Sequence, residues 1–307
     1  MSTDYPHRYA VDSIQLESRT FPWVNVVLFL ATCLSTLFVG TFLMAGFRDE
    51  MIDPIRLIRA MWSNPLLLLS GLPFSATIMT ILLSHEMGHY LACRYYGISA
   101  TLPYFIPAPT FVGTMGAFIK IRSPIVNRPA LLDVGIAGPI AGFVVALPAL
   151  AIALQQSRFV KLEPEGGALM FGEPLIFKLV AYLMGKTAPP GTDMYLHPIG
   201  LAAWFGFFAT ALNLIPVGQL DGGHIAYALF GRLHKRISQA FVVVLIPLGI
   251  FFWQGWLIWV VLLIYLGLRH PVTLDDTIPL DRRHVLLGWC SLAMFILTFT
   301  PAPIYVS

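Results

Sequence analysis

The sequence predicts an all-α polytopic membrane protein of about six to seven transmembrane helices. Two observations carry this prediction. Of 307 residues, 57% are hydrophobic and only 11% charged, against roughly 25% charged in a soluble domain, and mean hydropathy is +0.75. The apolar residues are also grouped into runs long enough to cross a bilayer, which takes roughly 20 of them. A soluble enzyme, a disordered chain and a nucleic-acid binder are thereby excluded. The balance of 19 Lys and Arg against 16 Asp and Glu is too mild to require a polyanionic partner.

Residues 1–21 form a polar N-terminal tail in which Asp4, Asp12 and Glu17 accompany Arg8 and Arg19, unlike an acid-poor transit peptide. The apolar run 22–47 exceeds a signal-peptide core of about 7–15 residues and reads as a retained first span. Further spans are expected at 68–94, 130–156, 197–217, 237–253, 255–269 and 284–301. A single transmembrane domain then covers 22–301, with a tail at 302–307. Only Gln254 and Gly255 part the fifth and sixth spans, so a tight hairpin and one bent helix both fit. With the N-terminus cytoplasmic, twelve Lys and Arg fall on the inner side and seven on the outer, the sense of the positive-inside rule. A bacterial cytoplasmic membrane is the expected location.

The insert at 157–195 is shorter than the roughly 50 residues of a small domain; a surface helix is expected within Met170–Gly185, and no soluble regulatory domain is recognised. Cys33, Cys93 and Cys290 are scattered and odd in number, so they make no disulfide framework. Most tryptophans, Trp204 and Trp256 among them, fall near expected span ends, as interface anchors do.

The second span ends in Ser84-His85-Glu86-Met87-Gly88-His89-Tyr90. On a helix His85 and His89 share one face, about 6 Å apart along the axis. Two imidazoles so placed can chelate one Zn²⁺, with the intervening Glu86 in reach of a metal-bound water. Eight His in 307 residues give only on the order of 0.004 chance matches to this motif. Three polar side chains inside an apolar span are costly, so they call for a function.

Catalytic zinc usually takes a third protein ligand and leaves a fourth position open. Cys93 lies on the same face, but about 12 Å along the axis from His85, too far for one ion to hold both. Asp133 is open to an ordinary reading as dipole stabilisation in the first turn of a helix. Asp221 is the stronger candidate, in Asn213-Leu-Ile-Pro216-Val-Gly218-Gln-Leu-Asp221-Gly222-Gly223-His224. Pro216 breaks the preceding helix, and the glycines permit sharp turns; an ordinary solvated turn fits the residues equally well. The loop count adds a separate consideration. It makes the second and fourth spans run in the same direction, so that both motif-bearing ends meet on one, cytoplasmic, side.

Taken together, these residues resemble the site-2 proteases, the intramembrane zinc metalloprotease family, in a compact form without a PDZ or CBS domain. The matching residues are His85-Glu86-x-x-His89, Asn213-x-x-Pro216 with Leu220-Asp221-Gly222 following, and the glycine-rich segment Leu131–Gly142, covering a core of about 68–235. The resemblance implies that His85, His89 and Asp221 ligate one zinc per chain, that Glu86 is the catalytic acid/base, and that Asn213 helps to hold the substrate strand. His224 is a candidate for supporting Asp221 from behind. His7, His197, His234, His270 and His284, at span boundaries or in loops, are expected to be solvated.

Between the second and third spans, Pro103, Pro107 and Pro109 exclude a regular helix, and Ala117–Arg122 is β-inclined. An edge strand that pairs with unwound substrate by β-addition and an amphipathic connector lying on the headgroups both suit the residues; the resemblance favours the former and implies a short re-entrant β element near the active site, with Gly113, Thr114, Met115 and Gly116 as substrate-binding residues. Gly138 and Gly142, with Gly135 and Ala141 beside them, let another helix approach closely. The expected reaction is peptide hydrolysis within or beside the transmembrane helix of a single-span membrane protein, Glu86 activating the zinc-bound water. A membrane metal transporter using the same His and Asp residues is the alternative; paired broken helices and internal symmetry, usual in transporters, are not found.

Overall fold

The computed structural model describes residues 21–49, 53–161 and 169–306; the expected N-terminal tail, His7 included, lies outside them except for Phe21. The first apolar run forms α1 (Trp23–Phe47), a helix of 25 residues without a charged side chain. After the short α2 (Pro54–Ser63) and a 3₁₀ segment Pro65–Gly71 comes α3 (Leu72–Tyr95), the helix of the His pair. α1 and α3 meet through glycine: a Cβ on Gly71 would sit 2.2 Å from the Leu37 carbonyl, and one on Gly40 2.5 Å from that of Gly71.

The proline-rich connection folds as an antiparallel hairpin of β1 (Tyr104–Pro107) and β2 (Thr114–Phe118), in register Tyr104↔Phe118 and Phe105↔Ala117 with an irregularity before Pro107. It lies along α1. The Asn25 amide donates to the Leu102 and Pro103 carbonyls, the Ser35 hydroxyl donates to the Gly113 carbonyl at 2.6 Å, and Phe29 meets Phe105 edge to face.

α4 (Arg128–Gln156) opens on an Asn127 cap that accepts from the Ala130 N–H, and it carries Pro139 and Pro148 inside. The insert follows as β3 (Arg158–Lys161), β4 (Leu169–Phe171), α5 (Leu175–Leu183) and β5 (Thr192–Tyr195). β3 pairs antiparallel with β5. The expected surface helix is therefore α5 alone, since Met170 and Phe171 belong to a strand.

The fourth apolar run departs from expectation. α6 (Pro198–Asn213) stops well short of residue 217, because a residue before proline is driven out of helical geometry and Pro216 has no N–H to continue the ladder. After a turn of Leu214–Leu220, the stretch expected as a loop is helical: α7 (Asp221–Phe230) leads through one 3₁₀ turn into α8 (His234–Phe251). Then come α9 (Gly255–Leu266), packed against α8, and α10 (Arg282–Thr298). Residues 252–254 break the chain between α8 and α9, so the run is two helices. Residues 302–307, expected as a tail, contain β6 (Ile304–Val306), which pairs with β4.

Four stretches among the described residues are helical, long and apolar enough to cross a membrane: Trp23–Phe47, Pro65–Tyr95, Arg128–Gln156 and Asp221–Phe251. Their outward faces are apolar. Leu30 and Leu34 on α1 and Val243 and Ile250 on α8 are all more than half exposed, as lipid-facing side chains are. The chain is an integral membrane protein built mainly of helices.

Trp204 and Trp256 are not interface anchors. Both are fully buried, and their indole N–H groups donate to the Gly172 and Pro301 carbonyls at 2.7 Å. A buried Trp needs such an acceptor, and the insert and the C-terminal segment supply them.

A candidate metal centre between four helices

α4 packs against α3, α6 and α7, and α3 also packs against α6; the site lies where they meet. His85, Glu86 and His89 are buried, each 6–7% exposed. Their helical spacing turns both imidazole Nε2 atoms to the same point, 3.1 Å apart. α7 brings in the third group: Asp221 Oδ2 stands 3.3 Å from His85 Nε2 and 3.2 Å from His89 Nε2. Tetrahedral zinc with bonds of about 2.0–2.1 Å holds its ligand atoms roughly 3.3 Å apart, so the three separations suit one ion. Asp221 Oδ2 is buried and has no hydrogen-bond donor, a cost of several kcal/mol for a carboxylate unless a cation meets it. Among the described residues this is the one group of three or more His, Cys, Asp or Glu placed to hold a metal.

Neighbouring backbone fixes the ligands. His89 Nδ1 lies 2.8 Å from the Val134 carbonyl. A carbonyl can only accept, so Nδ1 carries the proton and Nε2 keeps its lone pair for a metal. α4 can come this close because of its glycines. A Cβ on Gly138 would fall 2.1 Å from His89 Nε2, and one on Gly135 would fall 2.9 Å from the His224 Cβ. Gly88 of α3 answers them, its Cβ position being 2.4 Å from the Ala137 carbonyl. The small-residue pattern expected to allow helix approach thus clears the space in which the imidazoles sit.

The Asp221 side needs glycine as well. On Gly222 a Cβ would meet the Leu214 carbonyl at 2.0 Å, and on Gly223 the Gly218 carbonyl at 2.4 Å. α7 therefore folds directly back on the turn that follows α6. Gly218 has φ +58°, a left-handed conformation that glycine adopts without strain.

Asn213, the last residue of α6, directs its amide nitrogen to within 3.1 Å of His85 Nε2, so it stands at the metal centre itself. The hairpin reaches the site one residue beyond β2, where Ile119 lies beside the Glu86 carboxylate. Of the four residues expected to bind substrate there, Gly113 closes the turn and Thr114 opens β2. Gly113 packs on α1 at φ +82°, and the buried Thr114 hydroxyl donates to the Ile106 carbonyl. Met115 is 73% exposed, and Gly116 at φ +97° faces open space.

Three histidines expected in solvent are buried: His197, His234 and His284. His284 sits between carboxylates, its Nδ1 2.6 Å from Asp281 and its Nε2 3.6 Å from Asp133. Asp133 also accepts from the Tyr96 hydroxyl at 2.7 Å. It is therefore neither a metal ligand nor only a dipole partner; it ties α10 to α3 and α4. Hydropathy alone does not carry this information, because the burial depends on a remote partner, Asp133, as well as on Asp281 three residues away. His224 does not bond Asp221; its Nδ1 is 2.6 Å from His270 Nε2. Cys93 is fully buried among Ile98 and Val134, the packing role expected of it.

Comparison with known proteins places this geometry in a class. Residues 73–254, well over half of the chain, match Peptidase family M50, and the chain belongs to that family, the site-2 proteases. Among individual proteins it is similar to the probable zinc metalloprotease EGY2, chloroplastic, of Arabidopsis thaliana, 32% identical over 245 residues that make 79% of this chain and 44% of the relative. The rice protein of the same name (Oryza sativa subsp. japonica) gives 32% over 252 residues, 79% and 44%. The probable zinc metalloprotease EGY1 of Arabidopsis is 32% identical over 171 residues, 53% of this chain and 30% of the relative. The chain spans less than half the length of these curated relatives.

Proposed function

We propose that the chain is an intramembrane zinc metalloprotease that cleaves a single-span membrane protein within or beside its transmembrane helix. The observation that supports this most is the convergence of two imidazoles and a carboxylate with a buried, donor-free oxygen, beside a buried glutamate of the same helix. His85, His89 and Asp221 are the zinc ligands. Bound zinc supplies Lewis acidity, polarising a carbonyl and making a water acidic near neutral pH.

The residues of the chain do the rest. Glu86 lies between the two ligand histidines in sequence and is buried; it takes a proton from the attacking water and returns it to the leaving amine. Met115 and Gly116, on the open side of the hairpin, and Asn213 at the metal centre hold the substrate. A helix hides its carbonyls in i→i−4 bonds, so the substrate must present an extended segment. β2 belongs to a two-stranded sheet, and its second edge is the surface on which that segment adds.

The hairpin is read as a re-entrant element, and α6, α9 and α10 as further spans that bring the total to six or seven. The N-terminus and the active-site opening share one side of the membrane. The expectation of a bacterial membrane is not carried forward, since the relatives' names are chloroplastic. Membership of a peptidase family weighs against metal transport.

Metal analysis of the purified protein and of Glu86→Gln, together with cleavage of a single-span substrate, tests the proposal. Both proteins should hold about one zinc, while the variant loses cleavage by about 10²-fold or more. A transporter would tolerate the change, and wild-type cleavage by Glu86→Gln would overturn the reading.

A further inference from the structure

Resting on the metalloprotease reading, a further inference concerns how Asp221 is held. The two histidines come from the middle of a 24-residue helix. Asp221 is instead the first residue of a ten-residue helix whose N-terminus has no side-chain cap. Its position depends on where α7 as a whole is placed.

The far end of α7 is anchored by Arg128, whose Nε donates to the Ala228 carbonyl at 2.7 Å and whose Nη2 donates to that of Leu229 at 3.0 Å. Its middle is gripped by the segment between α9 and α10. His270 Nε2 is 2.6 Å from His224 Nδ1, one turn from Asp221, and the Tyr227 hydroxyl donates to Asp276 at 2.7 Å. The His270 ring also stacks on Tyr227, with centroids 4.6 Å apart. The segment is itself fastened to the entry of α4: the Leu274 N–H donates to the Ile125 carbonyl and the Asp275 N–H to that of Val126. The buried Thr273 hydroxyl donates to Asp276.

The proton positions follow from the acceptors. His270 Nδ1 is 2.5 Å from the Pro271 carbonyl, which can only accept, so Nδ1 bears the proton. Burial holds the His270 imidazole below its ordinary pKa, against the opposing effects of Pro271 and Asp276, and the neutral ring leaves Nε2 as a bare acceptor. His224 Nδ1 must therefore donate to it. Only one arrangement of protons satisfies the three groups.

We propose that His270–Asp276 is a strap that positions the third metal ligand, with His270 as its central positioning residue acting through His224 and α7. Partners bonded directly to metal ligands set metal affinity by about 10–100-fold; His270 acts from further back, through His224 and α7, so its effect belongs at the lower end of that range.

The test is zinc affinity of the full chain in detergent, measured by competition with a chelator, with thermal unfolding of the metal-free protein alongside. His270→Ala should bind zinc about tenfold more weakly or worse. His270→Gln, whose amide oxygen reaches the Nε2 position, should restore affinity to within about threefold. Tyr227→Phe removes a single hydroxyl and should weaken zinc by about two- to fivefold with the fold intact, which keeps the test decisive if His270→Ala unfolds. Wild-type affinity in both His270→Ala and Tyr227→Phe overturns the proposal, as does equal loss in His270→Ala and His270→Gln, which would make the ring mere packing. Absence of zinc from the wild type would instead overturn the metalloprotease reading, and the strap's role with it.

Discussion

The two halves of the metal centre are built on different principles. α3 delivers His85, Glu86 and His89 from five consecutive residues, and helical periodicity alone puts the imidazoles side by side. Asp221 arrives from 132 residues beyond His89, by way of a broken helix, a glycine turn and a short second helix. The first half is local and stiff. The second has no geometry of its own and borrows it from every surface that α7 touches. Both halves, however, depend on positions where a single methyl group would not fit, so the contrast concerns where the constraint is stored rather than how tight it is.

Substitution on α4 strikes the local half hardest. Gly138→Ala places a methyl 2.1 Å from His89 Nε2 and must push the ligand or the helix aside. A displacement of about 1 Å at a catalytic group can cost on the order of 10²-fold in rate, so activity should fall by at least that factor, with zinc lost in metal analysis. Gly142→Ala, one turn on, meets the His85 Cβ at 3.3 Å, a contact that a small shift relieves; activity within a fewfold of wild type is expected. Equal effects at the two positions would show that α4 merely needs small residues and is not shaped to the imidazoles.

The corresponding break on the second half is Gly222→Ala, whose methyl would lie 2.0 Å from the Leu214 carbonyl. Overpacking of this kind costs typically about 1–3 kcal/mol. The expected outcome is a lower unfolding temperature and weakened zinc binding, with α3 unchanged. Intact zinc affinity would mean that Asp221 is not held by the return of α7 on the turn.

What could be read from the sequence follows the same division. α1, α3 and α4 appear close to their expected bounds, since a long apolar run has few alternatives in lipid. The His pair needed only its spacing. α6 and α7 differ from the expected span and loop because hydropathy averages across Pro216, and a new helix rather than a loop follows that proline. The buried states of His234 and His284 were invisible for a related reason. A polar residue near a span end looks solvated until its partners are known, here Ser238 for one and Asp133 with Asp281 for the other. Gly138 reads in the sequence as a packing residue, with no sign that its neighbour is His89 of the candidate metal centre. Indole at a span end fits an interface as well as a core, and for Trp204 and Trp256 only the remote carbonyls of Gly172 and Pro301 decide between the two.

The smallest expected effect lies at the opposite end of α1 from the residues that hold the hairpin. There Arg158 Nη2 pairs with Asp49 Oδ2 at 2.6 Å, and its guanidinium lies 5.3 Å from the ring centres of both Phe47 and Tyr195. Both charged groups are well exposed, so the ion pair contributes at most about 1 kcal/mol, and each exposed cation–π contact adds roughly 0.5–1 kcal/mol. Arg158→Ala should therefore lower the unfolding temperature slightly and leave cleavage within about twofold of wild type. α1 gives the experiment its force, because the same helix carries Asn25 and Ser35, which hold the hairpin beside Glu86. If loosening one end of α1 slowed cleavage tenfold while stability barely moved, the insert would be coupled to the hairpin through the length of that helix. The metal centre would then depend on a third region, and the division into a local and a borrowed half would no longer describe it.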